Sequence, residues 1–118
     1  MSMKLGDLER EVMEVFWAEP SRSLTVREVT THFPKHAYTT IMTILSRLAT
    51  KGFLIEEKIG RLNSFSAAAS REDYITSLIL EALSGTHDRQ AVLARFAESM
   101  PPGDRKYFSR MFNRRSEK

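Results

Sequence analysis

The sequence predicts a mainly α chain with one small β-hairpin wing: a winged helix-turn-helix over residues 5–68 and a further helical region over 70–113. Three observations predict it. Residues 7–51 hold three apolar runs at helical spacing, separated by prolines and turn residues. After Gly52 the period shifts to two extended runs placed around Gly60. From Ser70 onward helical spacing returns, interrupted by Gly85 and by Pro101-Pro102-Gly103.

The first helix is expected from Asp7 to about Ala18, with Asp7 as its N-cap and Arg10 at N3. Leu8, Val12, Val15 and Phe16 form one stripe, widened by Met13 and Trp17, and Pro20 lies just beyond the end. Thr25 and Glu28 have the spacing of a capping box, which starts a short second helix. Val26, Val29 and Phe33 are its apolar contacts, and Pro34 ends it. The third helix runs from about Tyr38 to Lys51, with Gly52 suited to the C′ position. Ile41, Ile44, Leu45 and Leu48 are its buried stripe. Ala37 is a weak N-cap, and Thr39 is the alternative, with a shorter helix. In the hairpin, Phe53, Ile55 and Phe65 are expected to face the core, and Gly60 permits the tight turn.

Ser70 can cap a fourth helix through about Leu83, with Asp73 at N3 and Tyr74, Leu78, Ile79, Ala82 and Leu83 as its stripe. The run DRQAVLARFAESM makes a fifth, with Val92, Leu93, Phe96 and Met100 apolar. Asp104 is expected to cap a sixth, with Tyr107, Phe108, Met111 and Phe112 on one side. Residues 114–118 read as a flexible basic tail. Three short helices with this much apolar surface need a cover, and a symmetric homodimer is the simplest one. The expected dimerisation residues are Tyr74, Leu78, Ile79, Phe96, Tyr107, Phe108, Met111 and Phe112.

Composition excludes several classes. The chain has no cysteine, so disulfides, thiolate metal sites and thiol catalysis are out. No run approaches the ~20 apolar residues of a membrane span, and the first residues lack the apolar core of a signal peptide. A cytoplasmic protein with no membrane partner is expected. His32 and His36 have Pro34 between them and His87 stands far off, so no metal-ligand spacing is present. No phosphate-binding loop or nucleophile elbow occurs. Neither cofactor, metal nor enzymatic activity is expected. The net charge of +3 is unevenly spread. Residues 1–20 are acidic, whereas 35–61 carry Lys35, Arg47, Lys51, Lys58 and Arg61 against Glu56 and Glu57. Such local basic patches are the footprint of a nucleic-acid binder.

In a helix-turn-helix the second helix of the pair enters the major groove and its N-terminal part touches bases. Thr39, Thr40 and Thr43 occupy that part of the third helix. Their hydroxyls can donate or accept, and their methyls can touch a thymine methyl. The competing use is local: a threonine can bond back to the carbonyl four residues earlier. Tyr38 can stack or bond at the DNA surface, or pack on the turn. Arg47 can reach a guanine edge or a phosphate, and its mid-helix place favours phosphate. Lys58 and Arg61 flank the hairpin tip, where positive charge can lie on the backbone or in the minor groove. Ser23, Thr25 and Arg27 are further phosphate candidates.

The stretches LGDLEREVMEVFW, TVREV, AYTTIMTILSRLATKGFLIEEKIGR and NSFSA resemble the penicillinase-repressor (BlaI/MecI/CopY-type) family, most strongly over residues 5–66. The resemblance implies a homodimeric repressor that reads a palindromic double-stranded DNA operator and is held together by its C-terminal helices. It places DNA contacts at Thr40, Thr43 and Arg47 and the wing at Gly60 and Arg61. Three departures stand out. The C-terminal cysteine cluster of copper-responsive members is absent, which excludes copper sensing by that route. The Asn-Phe bond cut by a sensor protease in antibiotic-responsive members is matched here by Arg95-Phe96. The last helix is unusually basic, with Arg105, Lys106, Arg110, Arg114 and Arg115. Two rival readings stay open: a winged-helix protein-interaction module without specific DNA binding, and a ligand-responsive regulator with a pocket near Tyr74, Ile75 and Phe96.

Overall fold

The computed structural model describes residues 4–116. In chain order the elements are α1 (Asp7–Ala18), β1 (Leu24–Thr25), α2 (Val26–Thr30), α3 (Tyr38–Thr50), β2 (Leu54–Ile59), β3 (Leu62–Ala67), α4 (Arg71–Leu83), α5 (Arg89–Ser99) and α6 (Pro102–Ser116). The strands form one antiparallel sheet in the order β1-β3-β2. Three helices with a β-hairpin wing make the winged helix-turn-helix, and a C-terminal helical region follows. The chain divides into two compact units, one ending at Ile79 and one beginning at Leu80. The division falls inside α4, later in the chain than the expected limit near residue 69.

The first unit is built on one apolar core. Val12, Met13, Phe16 and Trp17 of α1 meet Ile41, Ile44, Leu45 and Leu48 of α3, with Leu24, Val26, Val29, Leu54 and Phe65 closing the cluster. Leu5 and Tyr74 also belong to it. Tyr74 is 4% exposed, and its hydroxyl accepts a 2.9 Å bond from the Leu5 N–H. Its ring lies stacked 5.4 Å from Trp17 and edge-on 5.7 Å from Phe53. The sequence placed Tyr74 on a dimer surface; the fold spends it on its own core instead. Leu78, one turn on, is half-buried against the same core.

Local chemistry sets the helix ends. Gly6, not Asp7, is the N-cap of α1, and N3 is Glu9, not Arg10. The Glu9 carboxylate accepts from the Gly6 N–H at 2.9 Å, which ties the chain back without any cap side chain. Thr25 and Glu28 form the expected reciprocal box on α2, with bonds of 2.9 and 3.2 Å. At the end of α3, Gly52 takes φ +90°. The Phe53 N–H bonds to the Leu48 carbonyl and the Gly52 N–H to the Ala49 carbonyl, a Schellman arrangement that a left-handed glycine permits.

That cap also corrects the hairpin. Phe53 is the C″ residue of the cap, so strand alternation begins at Leu54, which is buried, while Ile55 is 55% exposed. Counting the alternation from Phe53 turns Ile55 inward, and a slip of one residue reverses every face. Phe65 is buried as expected. The two-residue loop has Gly60 at φ +64° followed by Arg61 without positive φ, the glycine-first pattern of a type II′ turn.

The second unit is different in kind. From Leu80 onward no described residue joins the buried apolar core. Asp88 caps α5, its carboxylate accepting from the Ala91 N–H at 3.0 Å. Helix α6 starts at Pro102, so Asp104 lies within its first turn and is not the N-cap. Proline suits a first helical position, where its missing N–H costs nothing. The expected tail at 114–118 starts within α6; residues 117 and 118 lie outside the described residues. Among the described residues no helix is long and apolar enough to cross a membrane.

Three carboxyls of the first unit lie below their usual value near 4.5. Burial raises Glu9, but the Gly6 N–H and the neighbouring Lys51 and Arg47 outweigh it. The Arg71 guanidinium lowers Glu14, and the Thr25 N–H and hydroxyl bonds lower Glu28. Each binds its proton more weakly folded than unfolded. Their contribution is therefore present above the ordinary carboxylate range and is lost as pH falls through the lowered values. Melting temperature should drop across that acidic window. Glu28→Gln keeps the cap geometry without the charge, so its drop should be shallower than that of the wild type. Identical slopes would show that Glu28 does not contribute.

Candidate nucleic-acid interface

The short α2 packs beneath α3, which leaves α3 with one buried stripe and a broad open surface. With Ile41, Ile44, Leu45 and Leu48 inward, the helical period puts Thr39, Thr43, Ser46 and Thr50 directly outward. Thr40 and Arg47 lie on one flank, Tyr38 and Met42 on the other, and all eight are exposed. The N-cap is Ala37, which makes no side-chain cap, and the first turn has no acidic residue. Helix starts of this kind leave N–H groups and the positive dipole end open to an anion. Thr39 lies inside the helix and is not its cap.

Hydroxyl partners divide the row. Thr43 donates to the Thr39 carbonyl at 2.9 Å and Thr50 to the Ser46 carbonyl at 3.0 Å. These two follow the local use of threonine in a helix. Tyr38, Thr39, Thr40 and Ser46 have no side-chain hydrogen bond among the described residues. Their donors and acceptors are free for something outside the chain.

The cations divide in the same way. Arg22 pairs with Glu19 and Glu28, Lys51 with Glu9 and Arg71 with Glu14. Arg10 lies over the Tyr74 ring, 5.9 Å from its centre. Arg27, Lys35, Arg47, Lys58 and Arg61 form no ion pair among the described residues. Lys51 and Arg71 tie α1 to its neighbours, whereas of the five just named four sit on α2, α3 and the wing. Against the wing carboxylates Glu56 and Glu57, these four cations leave an excess of positive formal charge beside the hydroxyl row.

A groove of about 580 Å³ runs between α3 and the wing. Tyr38, Met42 and Ser46 form its helix wall, Glu56, Arg61, Leu62 and Asn63 its wing wall, and Thr25 and Arg27 its end. The structure thus brings Tyr38 and Arg61 to one groove and sets Thr40 and Arg47 on the opposite flank of the helix. Met42 and Ser46, outside the buried stripe in the sequence as well, were not among the expected contacts. Their signal was the spacing of four from Tyr38. Among the described residues no group of three or more acidic or histidine side chains is placed to hold a metal.

Of the other expected residues, Ile79, Phe96, Tyr107, Phe108 and Phe112 are exposed, and Met111 is half-buried. Phe108 and Phe112 meet at 5.4 Å on α6. A cleft beside Tyr74, lined also by Trp17 and Phe53, holds only about 120 Å³, below the several hundred typical of a drug-sized ligand site.

A hairpin-winged helix-turn-helix that presents an open, uncapped second helix beside unpaired cations defines a winged-helix DNA-binding transcription regulator. Comparison with known proteins narrows the class. The family model described as penicillinase repressor matches residues 5–113, and the chain belongs to that family. It is 36% identical over 100 residues to the transcriptional regulator BlaI of Mycobacterium tuberculosis, in two strains, covering 80% of this chain and 72% of the relative. The solution structure of the DNA-binding domain of the repressor BlaI superposes with a TM-score of 0.52 at 34% identity, over 60% of this chain and 88% of that one. This chain is thus a transcriptional repressor of the winged helix-turn-helix type.

Proposed function

We propose that the chain acts in the cytoplasm as a homodimer on a palindromic double-stranded DNA operator, and represses by occluding the promoter. The observation that carries this is the open face of α3: hydroxyls at Thr39 and Thr40 and guanidinia at Arg47 and Arg61 on either side, none of them with a hydrogen-bond or ion-pair partner among the described residues. Tyr38, Thr39, Thr40 and Thr43 face base edges, Arg47 takes a phosphate on one strand, and Lys58 and Arg61 take the backbone on the wing side. Thr43 contributes as an acceptor and through its methyl, since its proton goes to Thr39.

The homodimer is supported by the second unit, where exposed Leu93, Phe96, Tyr107 and Phe108 have no core of their own. A matching copy would bury them, and two reading helices about 34–36 Å apart would then meet successive major grooves. The Arg95-Phe96 bond, where a sensor protease would act, lies in α5 at a residue of that proposed interface, so cutting it would weaken the dimer.

Selection of random duplexes by the purified chain at moderate salt tests the reading. An enriched inverted repeat is the expected result. Retention without enrichment, or no retention, would overturn it, the latter in favour of a protein-interaction role. On the enriched site Arg47→Ala should weaken binding by roughly 1–3 kcal/mol if it reads a base. If it holds phosphate, it should weaken specific and random duplexes alike and lower the salt slope by about one. The phosphate outcome is the expected one.

A further inference from the structure

We propose that Met42 is a specificity-determining residue that reads the C5-methyl of a thymine in the major groove. The inference rests on the duplex-reading function above and adds to it a residue and a base feature. Met42 is 42% exposed at the middle of α3 and lies outside the apolar core cluster. It sits one turn beyond Tyr38 and one turn before Ser46, on the wall that faces the wing. Packing within the fold therefore does not account for it.

The groove it lines is suited to a nucleic-acid strand. Arg27 and Arg61 stand at its edges without ion pairs among the described residues, and Tyr38 and Ser46 present hydroxyls without side-chain partners. When α3 enters a major groove, Met42 is pressed toward base edges. Those edges are hydrogen-bonding groups with one apolar exception, the thymine methyl. A thioether over a carbonyl edge would strip water and return no hydrogen bond, and over an amino edge it would return only a weak one. Over a methyl it returns contact area, and its unbranched chain adapts to the position. The other exposed side chains of α3 all carry a hydroxyl or a guanidinium, so Met42 is the residue of this helix face that distinguishes thymine by apolar contact alone.

Deoxyuridine tests this without changing hydrogen bonding, because it differs from thymidine only by that methyl. Affinity of the full chain is measured by fluorescence anisotropy on the enriched duplex and on duplexes with each thymine singly replaced by deoxyuridine. The wild type should lose about three- to fivefold at one position in each half-site, the worth of one buried methyl. Met42→Ala should bind the thymine duplex more weakly and be indifferent to the same replacement, while Met42→Leu should retain part of the sensitivity. If Met42→Ala stays as sensitive as the wild type at every thymine, or if no position is sensitive in either, the assignment is overturned while duplex reading stands. If no sequence is enriched at all, both fall. Circular dichroism melting confirms that the exposed substitution leaves the fold intact.

Discussion

Tyr74→Ala should destabilise the first unit by about 3–5 kcal/mol, the range for removing a large buried aromatic. The loss has three parts. The ring leaves a cavity between Trp17 and Phe53, both in contact with it. Arg10 loses the ring it lies over. The Leu5 N–H loses its acceptor in a buried setting. Tyr74→Phe isolates that last part and should cost about 1–3 kcal/mol. Urea titration followed by circular dichroism reads both. The discriminating feature is concentration. If Tyr74 serves the core of its own chain, the loss is independent of protein concentration; a loss that fades at high concentration would return Tyr74 to a dimer interface.

Phe96→Glu combined with Tyr107→Glu should convert the proposed dimer to a monomer and weaken binding to a full inverted repeat by about 10²–10⁴-fold, the usual gain from linking two sites. Affinity for a single half-site should stay unchanged. Both side chains are exposed, on helices with no buried residue among the residues whose burial is described. A charge at either position stays solvated in the monomer and becomes buried and unpaired in the dimer, which is the costly state. Sedimentation velocity and a titration of full and half sites measure the two effects separately. A variant that remains dimeric places the interface elsewhere, and a wild type that sediments as a monomer removes the dimer.

Both predictions concern residues that the sequence grouped together and the structure separates. Tyr74 and Phe96 were aromatics at helical spacing in one C-terminal region. Periodicity reports that a face is apolar and says nothing about what covers it. Tyr74 found its cover in Trp17, far away in the chain, a contact no local pattern carries. The hairpin shows the same limit at shorter range. Its existence followed from Gly60, but its facing depended on whether Phe53 belonged to the strand or to the helix cap, and a hydrogen bond to Leu48 decided that.

What the sequence by itself determined was the order and kind of the elements, the capping box at Thr25 and Glu28, the glycine turns at Gly52 and Gly60, and the family. These depend on neighbours within four or five residues, where sterics and local hydrogen bonds dominate. The tertiary structure alone decided which open residues are available. It brought no distant partner among the described residues to the hydroxyls of Thr39, Thr40 and Ser46. It paired Lys51 with Glu9 and Arg71 with Glu14 while leaving Arg27 and Arg61 without an ion pair among the described residues, and it set Met42 against the wing groove. Ion pairs and grooves join residues distant in the chain, so their partners are fixed only when the core brings those segments together.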